Sequence, residues 1–202
     1  MVQIENKNFM SSSLLITAFT QGTAVTIYTE TDAVQWSGTV TVSKTMNLLS
    51  TKCYRIVSLS PIMVAIFAKS YDGELTMNSD PFLTILRPTT QYHNKFGFAT
   101  PPSPFVNYIN VVVPSNSTAD LILDGSSVSP LWTTIGSSGF SGAKLSVSAG
   151  FHVVESVTAF TGWAYGFDYM VSYSYPLSKL YTDPGTVTVS CKATWEHSGK
   201  TI

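Results

Sequence analysis

Charged residues are scarce in this sequence. Asp, Glu, Lys and Arg make up 11% of the 202 residues, against about 25% in an average soluble protein. The formal net charge is −1, and no basic stripe is present that would neutralise phosphates. We therefore expect no nucleic-acid partner and no polybasic attraction to a membrane surface. The surface must be built largely from Ser, Thr, Asn and Tyr, which suits an extracellular domain.

Long apolar runs are also missing. The longest one, residues 62–68, is far shorter than the roughly 20 residues that a membrane-spanning helix needs. No membrane insertion is therefore expected. Met1 is followed by polar residues rather than by the apolar segment of a signal peptide. The chain is then either cytosolic or a piece of a longer secreted protein, and the resemblance described below favours the second alternative.

Cysteine is limited to Cys53 and Cys191, which both lie in strand-like sequence. A disulfide between them would close a long loop and stabilise the fold by about 4 kcal/mol or more. The alternative is two unpaired thiols, one or both of them buried.

Catalytic clusters are not visible. The three histidines lie far apart, and no pair has the spacing of metal ligands. His152 is expected to be a hydrogen-bonded residue at the start of a strand. No G-x-S-x-G nucleophile elbow occurs, and the Gly- and Ser-rich residues 136–142 indicate a hairpin loop. The acidic residues are too scattered to suggest a glycosidase pair. We therefore expect no enzymatic activity and no cofactor.

Metal binding has equally little support. No calcium-binding loop of the EF-hand type is present. A surface calcium ion at Asp80 or Asp124 is an alternative, but turn formation by Asp explains both residues more simply. The sequence therefore predicts no metal site.

Apolar residues that alternate with Ser and Thr are the most prominent feature. This period of two is typical of half-buried β-strands. Strands are predicted at residues 14–19, 24–29, 39–43, 54–59, 62–69, 82–86, 108–113, 119–123, 143–148, 151–157, 163–169 and 186–193. Many short strands separated by turn residues predict an all-β fold of the sandwich or jelly-roll type.

An internal repeat divides the chain. Residues 13–30 match residues 108–125, since both indicate strand, polar turn and strand, and residues 62–67 resemble 162–167. This repeat predicts two similar antiparallel units in tandem, joined near the Pro-rich residues 101–104. We assign residues 1–100 to the first unit, 101–181 to the second, and 182–202 to a final strand or the start of a following module. Chance similarity between sequences rich in Val, Ile and Thr is the alternative.

Aromatic residues form an odd-numbered series towards the C-terminus. The series consists of Trp163, Tyr165, Phe167, Tyr169, Tyr173 and Tyr175. Odd-numbered residues of a strand share one face. They form either an exposed aromatic platform for a glycan or protein, or part of the core with hydroxyl groups at its rim. The core is favoured, because such stripes are more often buried.

The sequence Asn116-Ser117-Thr118 is an N-glycosylation motif in a predicted turn. Asn116 is therefore a candidate acceptor, provided that the protein is secreted.

A series of short motifs resembles the N-terminal domain of the IgG Fc-binding protein family. The motifs, in order, are PIMVAIF (61–67), DPFLTILRP (80–88), QY (91–92), FATP (98–101), NYINVVV (107–113), DG (124–125), IGSSGF (135–140), GFH (150–152), YGF (165–167) and SYSYP (172–176). Their order and spacing, rather than any single motif, carry the resemblance. It implies an extracellular domain of a larger mucosal, cuticular or adhesive protein. Residues 69–79 lack the cysteine that relatives often have there, so no family disulfide is expected in this loop.

Together these features predict a non-catalytic extracellular binding or adhesion module. It would present loops and sandwich faces to an extracellular protein or glycan partner. Two alternatives are a carbohydrate-binding or carbohydrate-active tandem jelly roll, and a self-associating structural domain. Low charge and many Ser and Thr residues suit the last, because such strand edges can pair with each other.

Overall fold

The computed structural model describes residues 12–48, 53–68 and 80–180, together with strand residues 196–197 and 200–201. These residues form eighteen β-strands and three short 3-10 helices, and the strands pair in antiparallel ladders. The all-β prediction is therefore confirmed. The strand predicted at 186–193 lies outside the described residues.

The first seven strands form two small sheets, which we call the first unit. The strands are β1 (Ser12–Ala18), β2 (Thr23–Thr29), β3 (Val34–Val40), β4 (Ser43–Leu48), β5 (Tyr54–Ser58), β6 (Ile62–Ala68) and β7 (Phe82–Leu86). One sheet has the order β4-β1-β6-β7 and the other β3-β2-β5. Alternate side chains point to opposite faces of a strand, and those of Leu14, Ile16, Val25 and Ile27 are buried in one core between the sheets.

The next nine strands belong to one nine-stranded sheet, which we call the second unit. They are β8 (His93–Thr100), β9 (Val106–Pro114), β10 (Ile122–Leu123), β11 (Ser126–Ser127), β12 (Thr133–Thr134), β13 (Phe140–Val147), β14 (Gly150–Asp168), β15 (Val171–Pro176) and β16 (Ser178–Lys179). The 3-10 helices are η1 (Thr89–Gln91), η2 (Ser115–Asp120) and η3 (Gly136–Ser138). Near the C-terminus, β17 (Glu196–His197) pairs with β18 (Lys200–Thr201).

The long strand β14 organises the second unit. Its first half pairs with β8 and β10, and its second half pairs with β9 and β15. The register shifts between Glu155 and Phe160, where the strand passes from one set of partners to the other. A second core lies between these sets, and Phe96, Val111 and Phe160 are fully buried in it.

Strand pairings of the first unit have counterparts in the second. β1 pairs with β4 and β6, as β9 pairs with β13 and the second half of β14. β2 pairs with β3 and β5, as β10 pairs with β11 and the first half of β14. This pattern is consistent with the predicted tandem units. The boundary assigned from sequence stays a prediction, and β8, which it placed in the first unit, pairs with β14 and β16 of the second.

Aromatic side chains join the two units. Trp163 and Tyr165 of β14 belong to the first core, where they are 4% and 7% exposed. The ring of Tyr108 stacks on Tyr165 and Phe167, with centroids 5.5 and 5.8 Å apart. Phe82 of the first unit meets Tyr165 at 5.9 Å. The neighbouring Ala164 lies in the second core, so the second half of β14 contributes one face to each core.

We call the contact formed by Phe82, Tyr108, Trp163, Tyr165 and Phe167 the joint between the units. A turn of the first unit adds hydrogen bonds to it. Asp32 lies between β2 and β3 and accepts hydrogen bonds from the Ser137 N–H at 2.7 Å and from Arg55 Nη2 at 2.9 Å. The bond from Ser137 is the main cause that lowers the pKa of Asp32, against the opposing effect of burial, and Arg55 adds to it. The Gly136 N–H also donates to the Glu30 carbonyl at 2.8 Å. A Cβ atom at position 136 would collide with the Asp32 carboxylate, which explains the glycine.

Candidate functional site

Three loops that cross from one sheet to the other meet at one end of the first unit. They connect β1 to β2, β3 to β4, and β5 to β6, and we call these residues, 19–22, 41–42 and 59–61, the tip. The Ala18 N–H donates to the Val42 carbonyl at 3.0 Å, and the Phe19 N–H donates to the Pro61 carbonyl at 3.4 Å. Successive loops alternate between the two ends of antiparallel strands, so the tip lies opposite the turn that carries Asp32.

Each tip loop exposes one large apolar side chain. Phe19 is 74% exposed, Val42 68% and Leu59 86%. A single exposed apolar residue is ordinary in a soluble protein. Three on hydrogen-bonded neighbouring loops are different, because grouped apolar surface of this kind marks interaction sites. The tip is therefore the candidate binding surface.

An open cleft of about 410 Å³ adjoins the tip. Its lining residues are Phe19, Ile56, Ser58, Pro61, Ile62, Val64, Leu86, Pro88, Thr90 and Gln91. Three of them, Ile56, Val64 and Leu86, are buried members of the first core, and Thr90 and Gln91 are exposed. An apolar cleft with a few polar groups at its margin is the usual form of a binding site.

The electrostatic character of this surface is simple. None of the lining residues is ionisable, and the tip loops contain no charged residue. Arg87 stands between the lining residues Leu86 and Pro88 and is partly exposed. The lining of the cleft therefore carries neither a cation nor a carboxylate.

The sequence did not indicate the tip. Phe19 and Leu59 fall at the ends of predicted strands, and Val42 falls inside the strand predicted at 39–43. In the structure these residues lie in loops, and 41–42 separate β3 from β4. The one available signal is an apolar residue next to turn-forming residues, as where Leu59 precedes Ser60 and Pro61.

His152 is a second candidate, and the structure places it in a supporting role. Its Nδ1 lies 2.7 Å from Asp124 Oδ2, and its Nε2 lies 3.1 Å from the Ser148 carbonyl oxygen. The ring is buried and stacks on Phe98 at 5.1 Å. Both ring nitrogens are thus held by neighbouring loops, as predicted for a residue at a strand start, so Nε2 is not free to act as a general base.

Asp124 completes this arrangement. Its Oδ1 accepts a hydrogen bond from the Val153 N–H at 2.8 Å. Desolvation raises the pKa of Asp124, but the hydrogen bonds from His152 and Val153 outweigh it and lower the pKa below its ordinary value. Asp124 has a φ of 52°, which Asp tolerates in turns better than most residues. The residue braces the turn between β10 and β11.

Two further kinds of site are absent from the part of the chain that the structure describes. Among the described residues, no group of three His, Cys, Asp or Glu side chains is placed to hold a metal ion. The same part of the chain contains no helix with the length and hydropathy required to cross a bilayer.

The odd-numbered aromatic residues do not share one environment. Trp163 and Tyr165 are buried in the joint, whereas Tyr169 is 61% exposed. Tyr173 and Tyr175 are half-buried at the edge of the second core. Two of the six residues of the series therefore offer no surface to a ligand.

The hydroxyl groups of Tyr173 and Tyr175 are used within the protein. Tyr173 donates to Asn107 Oδ1 at 2.7 Å, and Tyr175 donates to the Ala99 carbonyl oxygen. The two rings stack with centroids 5.9 Å apart. Burial raises the pKa of both hydroxyls. These side chains fasten β15 to its neighbours.

The remaining predicted sites lie near η2 and the joint. Asn116 is exposed in η2, and Thr118 is partly exposed. Cys53 is 1% exposed and packs with Val112 and Ile135 between the units. Cys191 lies outside the described residues, so the Cys53–Cys191 disulfide stays a prediction.

Stability is expected to fall in alkaline solution. Burial raises the pKa of Tyr92, Tyr173 and Tyr175 above the ordinary value of 10.0. The unfolded chain then loses these protons near pH 10 while the folded chain retains them, so unfolding becomes more favourable as pH rises from there. Tm measured from about pH 8 to about pH 12 should decline above about pH 10. Tyr92→Phe should make that decline of Tm smaller. An unchanged decline would show that the Tyr92 hydroxyl does not cause it.

Comparison with protein families matches residues 2–166 of the chain to the family described as IgGFc binding protein. Neither the curated proteins nor the solved structures gave a match. The matched range includes the first unit, with its tip and cleft, and most of the second. This confirms the resemblance on which the sequence interpretation depended. The chain is a member of the IgGFc-binding protein family.

Proposed function

We propose that this chain is a non-catalytic extracellular module that binds a protein partner through the tip of its first unit. The observation that carries the proposal is the exposure of Phe19, Val42 and Leu59 on three adjoining loops. Membership of a family named for protein binding supports it. The engagement of both His152 ring nitrogens by neighbouring groups supports the non-catalytic part of the proposal.

A protein fits this surface better than a free glycan. Glycan recognition relies on exposed aromatic faces and polar groups, and two aromatic residues of the candidate platform, Trp163 and Tyr165, are buried. Apolar side chains projecting from three loops instead resemble the apolar centre of a protein interface. Adhesion would follow if several such modules stood in one secreted protein.

Photo-crosslinking tests the proposal directly. A photoreactive phenylalanine derivative replaces Leu59 in one variant and Val157 in a control. Val157 is 77% exposed and lies at the register shift of β14, the counterpart of the loop between β5 and β6. The proposal requires a discrete protein adduct from position 59 that excess unlabelled chain suppresses. Equal adducts from both positions, or none from position 59, would refute it.

The probes follow from the competing hypotheses. The first purified partner to try is the IgG Fc fragment, because the family is named for it. A glycan array covers the carbohydrate alternative. Adducts between two copies of the chain, matched by dimers in sedimentation, would favour self-association instead.

An N-linked glycan at Asn116 is expected if the chain is extracellular. The acceptor Asn116 is exposed in η2, where a glycosylating enzyme has access. The chain is secreted from animal cells behind an added signal sequence and treated with a glycosidase that removes N-glycans. The wild type should lose mass and Asn116→Gln should not. Asn94→Gln, at an exposed asparagine outside any such motif, is the matched control and should behave as wild type. An untreated wild type without a glycan would count against this assignment.

A further inference from the structure

We propose that the chain associates head to tail with a second copy of itself, through two exposed surfaces. One is the outer face, which consists of Leu15, Met63, Phe67, Leu83 and Ile85 on the side of the sheet β4-β1-β6-β7 that points away from the first core. The other is the Asp124 end of the second unit, which consists of the turn at residues 124–125 and the start of β14 at residues 150–151. This inference goes beyond the proposed function, because it does not involve the tip.

The outer face is a contiguous apolar surface. Phe67 lies directly opposite Leu83, and Ala65 lies between Leu15 and Ile85. Residues directly opposite each other on antiparallel strands share one face of the sheet. Phe67 is 37% exposed, Leu83 51% and Ile85 47%. Since grouped apolar surface marks interaction sites, this face is a candidate for a protein contact.

The corresponding face of the second unit is covered within the chain. β6 pairs with β1 as the second half of β14 pairs with β9. Val64 and Ile66 of β6 lie in the first core and Ala164 of β14 lies in the second, so the odd-numbered residues of both strands point to the other face. In β14 these include Trp163 and Tyr165, which are 4% and 7% exposed because the first unit packs on them. The same kind of face therefore binds the end of a unit in one place and is exposed in the other.

The Asp124 end corresponds to the end of the first unit that packs at the joint. There β2 and β3 are connected by the turn with Asp32, which accepts a hydrogen bond from Ser137 of the second unit. Their counterparts β10 and β11 are connected by the turn with Asp124. Asp32 and Asp124 both have a left-handed backbone, with φ of 61° and 52°. Asp32 binds Arg55 of β5, and Asp124 binds His152 of the first half of β14, which is the counterpart of β5. The two ends are therefore built alike.

A second copy is the occupant that completes this arrangement. The Asp124 side chain is 47% exposed, and Phe151, which precedes His152, is 66% exposed. A single chain thus exposes one face that fits the end of a unit and one end that fits such a face. The two surfaces lie on different units, so two copies in contact use a different surface each, and the dimer still exposes one of both kinds. Contacts of this heterologous type extend into open chains unless they close into a ring.

Sedimentation velocity of the full chain tests this inference, with a reductant present so that disulfides between copies do not contribute. The weight-average sedimentation coefficient of the wild type should rise between micromolar and millimolar concentration. Ile85→Lys and Phe151→Lys should each lose this rise, because a Lys buried in the contact would lose its water without gaining a partner. Val157→Lys is the control, since Val157 is 77% exposed at the register shift of β14, and it should behave as the wild type.

A mixture of the two variants tests the head-to-tail arrangement. Ile85→Lys retains an intact Asp124 end and Phe151→Lys an intact outer face, so their equimolar mixture should form dimers and nothing larger. Leu83→Lys, a second variant of the outer face, should give the same result in place of Ile85→Lys. A wild type that stays monomeric, or a mixture without dimers although both variants keep the wild-type Tm, would overturn the inference. Association of Phe151→Lys equal to that of the wild type would also overturn it, since the Asp124 end would then take no part. The tip is unchanged in every variant, so crosslinking at position 59 tests the proposed function separately.

Discussion

Replacing Trp163 with Ala is expected to lower the free energy of unfolding by about 3–5 kcal/mol, the usual cost of removing a large buried aromatic side chain. Trp163 is 4% exposed and lies in the core of the first unit although β14 belongs to the second. Its removal would leave a cavity at the joint. Since small domains are stable by about 5–15 kcal/mol, this loss should be readily measured in urea.

The matched control is Tyr169→Ala. Tyr169 belongs to the same odd-numbered series but is 61% exposed, so its removal should change stability by no more than about 0.5 kcal/mol. If both variants lost equally little free energy of unfolding, Trp163 would lie at the surface and would not join the two units.

A second measurement on Trp163→Ala is the cooperativity of unfolding. One face of the second half of β14 belongs to the first core and the other to the second core. The wild-type chain should therefore unfold in a single transition. Trp163→Ala should weaken the link between the units, and a second transition that appears only in this variant would support the joint.

The strands that sequence predicted well are rich in apolar residues. Residues 82–86 were predicted with the bounds that β7 has, and the prediction at 54–59 differs by one residue from β5. These segments pack an apolar face against a core, and alternation reveals such a face directly.

Other strands were not predicted, because they form through contacts with residues that are distant in the sequence. β8, residues 93–100, contains His, Asn, Lys and Gly, and tertiary pairing with β14 and β16 makes it a strand. The strand predicted at 39–43 overlaps only the end of β3 and the start of β4 and spans the turn between them, since Val40 and Val42 alternate with Thr and Ser. The turn between them depends on the tip loops, which local sequence does not record.

The proposed binding surface and the contact between the units were the least predictable parts. The sequence shows that Trp163 and Tyr165 share a face, but only the packing of the units shows that this face is a joint. For Phe19 and Leu59 the sequence suggests strand ends, and only the connections between the two sheets place them in loops at one tip. A site formed by several loops combines residues that are distant in the sequence. Periodicity along the chain does not show which loops lie together in the fold.

The most direct test of the tip as a binding surface is the affinity of Leu59→Ser for the protein that crosslinks at position 59. Leu59 is 86% exposed, so its replacement should leave Tm unchanged. If it is a central anchor, its loss should weaken binding by about 2 kcal/mol or more, which is about 30-fold in Kd. Val157→Ser, at the counterpart position of the second unit and 77% exposed, should bind within about two-fold of wild type. An unchanged Kd for Leu59→Ser, or an equal loss in Val157→Ser, would contradict binding through the tip.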